Sequence, residues 1–261
     1  MNTMTRTALV VGGGRNLGAF LAEGLADAGY AVAVADLAPH NARQVAEGIA
    51  CRHGAERAVA VGVDATDPDS VAAMVSQVDA AFQRIDVLVY NAGVAQAAKI
   101  TAFPVDAWQK SIAVNLTGYF LCARAVSQVM IRQGGGRIIQ INSKSGKVGS
   151  KHNCGYSASK FGGVGLTQSL ALDLAEHNIT VHSLMLGNLL KSPMFQSLIP
   201  QYAEKLGIPP GQVEQTYIDK VPLRRGCDYQ DVLNVLKFYA SEEASYCTGQ
   251  SINITGGQVM F

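Results

Sequence analysis

The chain has 261 residues, with 21 basic against 20 acidic side chains and a formal net charge of +1. So even a balance, with no long run of like charge, argues against a nucleic-acid partner, and no apolar run reaches the length of a membrane span. The five cysteines (Cys51, Cys122, Cys154, Cys227, Cys247) are scattered without CxxC spacing, and "MNTMTRTALVVGGG" has no apolar stretch long enough for a signal peptide. They read as free thiols in a reducing compartment, with no metal site, so a cytoplasmic protein is expected.

The size suits a single α/β domain over 1–261. Strands are predicted at 8–11, 31–35, 58–63, 87–90, 137–141, 180–186 and 251–254. They are apolar without polar alternation, as expected of strands covered on both faces. Helices are predicted between them, at 17–28, 41–53 and 67–82 among others, the last with Asp67 placed to cap and Pro68 at the first helical position. Strand-helix alternation implies right-handed crossovers and a doubly wound parallel sheet of the Rossmann type. The rhythm breaks at 189–221, a proline-rich insertion around "MFQSLIPQYAEKLGI" that reads as a lid over the substrate.

The first strand runs into "VVGGGRNLG". Gly12, Gly13 and Gly14 allow a tight turn, and Gly18 lets the helix start lie against the sheet, so that backbone N–H groups and the helix dipole face a pyrophosphate. Asp36 ends the second strand, eighteen residues after Gly18, where a carboxylate accepts both ribose hydroxyls. It would repel a 2′-phosphate and favours NAD. Arg15, which could pair with that phosphate, argues for NADP and is outweighed by the acid beneath the ribose. Asp64 closes the third strand, where it could receive the adenine amino group, and "YNAG" closes the fourth with Asn91, Ala92 and Gly93 where the cofactor must lie close.

Here the pattern resembles the short-chain dehydrogenase/reductase family, and the likeness runs over nearly the whole chain from about Thr7. The family's glycine loop usually reads TGxxxGxG. This chain has Val11 for the threonine and Asn16 for the middle glycine, and asparagine tolerates a positive φ better than most residues. The resemblance adds Leu17, Ala65, Gly187, Leu189 and Ser192 to the cofactor contacts. Leu186-Gly187 stands for the usual proline-glycine, and Ser192 keeps the hydroxyl of the usual threonine.

Tyr156 and Lys160 are four apart in a predicted helix, so they share a face. A free tyrosine has a pKa near 10, and a phenolate at neutral pH needs roughly 4 kcal/mol of preferential stabilisation, which Lys160 and a nicotinamide charge together could supply. In the resembled family a serine thirteen residues before the tyrosine bonds the reacting oxygen, which implies Ser143. A helix asparagine holds a water that links the lysine to solvent, which implies Asn115 in "SIAVNLTGYF". The plainer roles are a strand-end cap for Ser143 and a polar kink for Asn115. Tyr156 and Lys160 also complete the cofactor contacts.

Between Ser143 and Tyr156 stand Lys144, Lys147, Lys151 and His152, with Lys191 at the start of the insertion and Arg224 and Arg225 beyond it. Such charge suits a phosphate monoester. Lys144, Lys147, Lys151, His152 and Lys191 are candidate substrate contacts beside Ser143 and Tyr156; Lys147 and Lys151 are the favoured phosphate ligands, and Lys144 is the weakest candidate of the loop's lysines. "IIQINSKSGKVGSKHN" and "SINITGGQVMF" resemble, within the family, an NAD-dependent dehydrogenase of a sugar-alcohol phosphate, which implies a homotetramer. The alternatives are a dehydrogenase of an unphosphorylated polyol and a non-catalytic NAD-binding regulator. Gly162, Gly163 and Gly165 are expected either to bring helices together between subunits or to pack on their own sheet.

Overall fold

The apolar runs become the strands of one parallel sheet in the computed structural model, which describes residues 5–261. The strands are β1 (Thr7–Val11), β2 (Ala31–Asp36), β3 (Ala58–Gly62), β4 (Val87–Tyr90), β5 (Gly136–Ser143), β6 (Ile179–Leu186) and β7 (Gln250–Ile254), in the order β3-β2-β1-β4-β5-β6-β7. The chain winds outward from β1 to β3, then returns to place β4 on the other side of β1. That reversal opens a crevice at the carboxyl ends of β1 and β4.

Neighbouring residues of one strand feed opposite cores. Leu9, Val11, Ala33 and Leu88 pack with residues of α3 (Pro68–Phe82), α5 (Gly118–Gln133) and α6 (Cys154–Leu174). Ala8, Val10, Val32 and Val89 pack with residues of α1 (Asn16–Asp27), α2 (Pro39–His53) and α10 (Tyr229–Ala240). Every residue of β1 is buried, which is why its sequence shows no alternation. The Asp67 carboxylate caps α3, accepting from Asp69 N at 3.1 Å, with Pro68 in the first turn.

Between β4 and α6, α4 (Val105–Ile112) runs through a π-helical turn, Ala113–Thr117, into α5. On α6, a Cβ at Gly163 would sit 2.5 Å from the Gln140 side chain and one at Gly162 would sit 2.6 Å from Leu116, so both are needed within the chain. Only Gly165 of the three faces open space.

The insertion is α-helical: α7 (Pro193–Ser197), α8 (Ile199–Leu206) and α9 (Val213–Ile218). It has a core of its own, with Leu190, Phe195, Ala203, Val213 and Tyr217 buried together. The rings of Phe195, Tyr202 and Tyr217 form a triangle with centroids 5.3 to 5.5 Å apart. Burying a side chain such as Phe195 stabilises this unit by about 1.5–3 kcal/mol. Among the described residues no helix is long and apolar enough to cross a membrane.

Candidate active site

A cavity of about 770 Å³ opens at the carboxyl ends of the strands. At one end the glycine turn survives its departures: Gly12 takes φ +76° and Asn16 takes φ +50°. A Cβ on Gly12 would lie 2.8 Å from Ala92 N, and one on Gly18 would strike the Gly12 carbonyl, so neither position admits a larger residue without movement. Asn91 Nδ2 donates to that carbonyl at 2.8 Å and ties the turn to β4. The Asp36 carboxylate accepts from Gly14 N at 2.9 Å and from Ala38 N at 3.0 Å, which fixes it at the cavity edge.

Arg15, exposed, lines the same cavity, and so do Leu17, Asp64, Ala65, Ala92, Gly93, Gly187, Leu189 and Ser192. Asp64 accepts from Thr66 Oγ1 at 2.7 Å and Thr66 N at 2.9 Å, and these bonds hold its pKa below the usual carboxylate value. Ser192 Oγ accepts from Phe195 N and caps α7. A strip of small residues and backbone running from Asp36 past Gly12 to Gly93 fits an extended dinucleotide.

The helix α6 brings Tyr156 and Lys160 to the middle of the cavity. Lys160 Nζ lies 5.6 Å from the Tyr156 ring centroid and donates to the Ile141 carbonyl at 3.0 Å. Burial pulls the pKa of Lys160 down to about 8. Burial also pushes the Tyr156 phenol above its usual value, while the Ser143 side chain works against that rise. At the phenol, burial outweighs the Ser143 bond. Ser143 ends β5 on the cavity wall, and its Oγ also accepts from Ser145 N at 3.2 Å, so it is a cap as well.

Asn115 sits in the π-helical turn and is fully buried. Its Oδ1 accepts from Val94 N at 2.8 Å, and its two amide hydrogens go to the Val94 carbonyl and Ser159 Oγ, both at 2.9 Å. The side chain thus clamps the loop after β4 to α6, and with both amide hydrogens engaged it can meet a water only as an acceptor. A π turn is a usual device for such aiming.

Sequence reasoning missed the layer beneath. Asn142 Nδ2 donates to the Lys160 carbonyl at 3.1 Å and to Ser183 Oγ at 2.9 Å, while Gln140 Nε2 approaches the Asn115 carbonyl at 3.4 Å. These buried polar groups satisfy one another and fix the height of α6 over the sheet. The available signal was two polar residues, Gln140 and Asn142, in the otherwise apolar run "IIQIN".

The lysines are distributed differently from the expectation. Lys144, the weakest of the loop's candidates, lines the cavity. Lys147, an expected phosphate ligand, instead donates to the Ser251 carbonyl of β7 at 2.8 Å and is not on the cavity wall. Lys151 is exposed, and its charge is felt by Lys205 of α8. His152 takes φ +62°, and its carbonyl accepts from Ala98 N. Lys191, Arg224 and Arg225 line a smaller cavity that shares Leu189, Ser192 and Tyr229 with the first; there Arg225 pairs with Asp231 and Arg224 lies 4.0 Å from Asp219.

The model of the short chain dehydrogenase family matches residues 6–203. The chain belongs to the short-chain dehydrogenase family. It is 68% identical to the sorbitol-6-phosphate 2-dehydrogenase of Escherichia coli (strain K12) over 259 residues, 99% of this chain and 100% of that one. The crystal structure of sorbitol-6-phosphate 2-dehydrogenase SrlD from Erwinia amylovora superposes with a TM-score of 0.96 at 71% identity, covering 97% of this chain and 100% of that one. An NAD+-bound xylitol dehydrogenase superposes at 0.92 with 31% identity, covering 98% of this chain and 100% of the other. Against the family loop pattern, Asn16 in the left-handed region keeps the turn that a glycine there usually makes.

Proposed function

We propose that this short-chain dehydrogenase oxidises D-sorbitol 6-phosphate to D-fructose 6-phosphate with NAD. The observation that carries the reading is one cavity shared by Tyr156, Lys160 and Ser143 and by the Gly12–Asp36 end. The likeness to two sorbitol-6-phosphate 2-dehydrogenases supports the substrate. Asp36, held at the ribose end by two backbone N–H groups, supports NAD over NADP.

In this reading Tyr156 takes the proton from the C2 hydroxyl as the carbonyl forms. Ser143 donates to that oxygen while charge develops on it. Lys160, anchored by the Ile141 carbonyl, brings an ammonium beside the phenol and favours its ionised form. The chemistry NAD supplies when bound is acceptance of the C2 hydride and a further positive charge near the phenol. Asn115 and Asn142 position these groups from behind. In the reverse direction Tyr156 returns the proton to the ketone oxygen.

Large apolar side chains are left exposed, Phe161 and Leu172 on α6 and Tyr246, Met260 and Phe261 toward the C-terminus. They support two subunit contacts and hence a homotetramer. All five cysteines are free, which supports a cytoplasmic setting.

The deciding assay measures NADH or NADPH formation from sorbitol and sorbitol 6-phosphate with each cofactor. Faster turnover of the phosphate ester with NAD supports the reading. Equal kcat/KM for both hexitols would sink the phosphorylated substrate, and a preference for NADP would overturn the role of Asp36. Light scattering at four times 27.5 kDa checks the assembly.

A further inference from the structure

The proposed substrate carries a dianion, and the ammoniums best placed to meet it come from three separate segments. Lys144 follows β5 and lines the cavity. Lys205 of α8 donates from Nζ to Ser150 Oγ at 3.2 Å, and Ser150 lines the same cavity. Its ammonium also lies 5.7 Å from the Tyr202 ring centroid. Lys220, just after α9, stands 5.4 Å from the Tyr217 ring centroid. Tyr202 and Tyr217 are both cavity residues and touch one another, with centroids 5.5 Å apart.

Lys144 is on the cavity wall, and Lys205 and Lys220 stand beside wall residues Ser150, Tyr202 and Tyr217 at the insertion's end. Burial, followed by the charges of Lys205 and Lys220, pulls the Lys144 pKa down to about 8. None of the ion pairs among the described residues involves Lys144, Lys205 or Lys220. Like charges brought together without a carboxylate repel, and an anion between them relieves the repulsion. Lys205 and Lys220 also lie beyond residue 203, where the match to the family model ends.

We infer that Lys144, Lys205 and Lys220 form the subsite for the substrate's phosphate monoester. This rests on the reading of the substrate as a hexitol phosphate. A phosphate oxygen accepts a charge-assisted bond from each ammonium. The hexitol chain then spans from this subsite to Tyr156, so the phosphate sets which carbon meets the phenol. Ser150 positions the Lys205 ammonium, and the rings of Tyr202 and Tyr217 carry the ammoniums of Lys205 and Lys220.

The experiment compares kcat/KM for sorbitol 6-phosphate and for sorbitol in the wild type and in Lys205→Met, Lys220→Met and the double variant. Methionine keeps the apolar stem, and thermal melts check that each variant folds. Each single change is expected to lower the ratio of the two values by roughly ten- to hundred-fold, mainly through the KM of the phosphate ester. Inorganic phosphate should compete with sorbitol 6-phosphate in the wild type and lose potency in the double variant. Lys110→Met, which removes an ammonium from the cavity wall away from the insertion's tyrosines, should leave the ratio unchanged. If the wild type prefers the phosphate ester and the folded Lys205 and Lys220 variants keep that preference, the subsite is wrong and the substrate reading stands. If the wild type shows no preference, the substrate reading fails and takes the subsite with it.

Discussion

The two ends of the cavity are built by different means. At the cofactor end the work is done by backbone and short side chains: the Gly12 turn, the Asn91 clamp and an Asp36 carboxylate held by two amides. These positions follow directly from the ends of β1, β2 and β4. At the other end the polar groups are the tips of long side chains from the loop after β5 and from the helical insertion. The first kind of site is rigid and local in sequence. The second is assembled from distant segments, and its chemistry can change without touching the sheet.

The contrast is open to test at its hinge, the phenol between the two ends. Tyr156→Phe should cut kcat by roughly 10²–10⁴-fold while leaving NAD affinity nearly intact, read by NADH formation and by titration with NAD. Retained turnover would remove Tyr156 from the chemistry. A change at the rigid end should behave differently: Gly18→Ala puts a methyl group against the Gly12 carbonyl. The strain of about 1–3 kcal/mol should appear as weaker NAD binding and a lower Tm. Unchanged NAD affinity would show that the turn is softer than argued.

The side-chain end should respond to pH where the backbone end does not. With its pKa pulled down to about 8, Lys144 is an ammonium below that pH and neutral above it. A phosphate monoester is largely dianionic from neutral pH upward. The KM for sorbitol 6-phosphate should therefore rise by up to about ten-fold as pH passes 8, and Lys144→Arg should flatten the rise. A flat profile in the wild type would count against Lys144 as a ligand. The smallest effect is expected at Lys147→Ala, whose ammonium is bound to the Ser251 carbonyl: kcat/KM for sorbitol 6-phosphate should stay within about two-fold.

Legibility followed the same division. The strands at 31–35 and 87–90 were readable because a strand buried on both faces must be apolar throughout, and the structure puts them at Ala31–Asp36 and Val87–Tyr90. The positive φ of Asn16 was readable because few residues other than glycine and asparagine accept it. The pairing of Tyr156 with Lys160 followed from helical spacing. The lysine assignment was not readable, because nearness in sequence to Ser143 and Tyr156 says nothing about which way a flexible stem points. Lys147 turned to the sheet edge, while Lys205, sixty-two residues from Ser143, reached Ser150. Nor could the sequence show that Gln140 and Asn142 meet Asn115, Lys160 and Ser183, since that requires the crossover packing of α6.

The private core of the insertion has an evolutionary corollary. Because Phe195, Tyr202 and Tyr217 hold α7, α8 and α9 to one another, the segment is a cassette. Its surface residues, Lys205 and Lys220 among them, can be exchanged without disturbing that core, and the same oxidation machinery then meets a different substrate. Selection for a different sugar would act on this cassette first, and the nucleotide grip would be carried along unaltered.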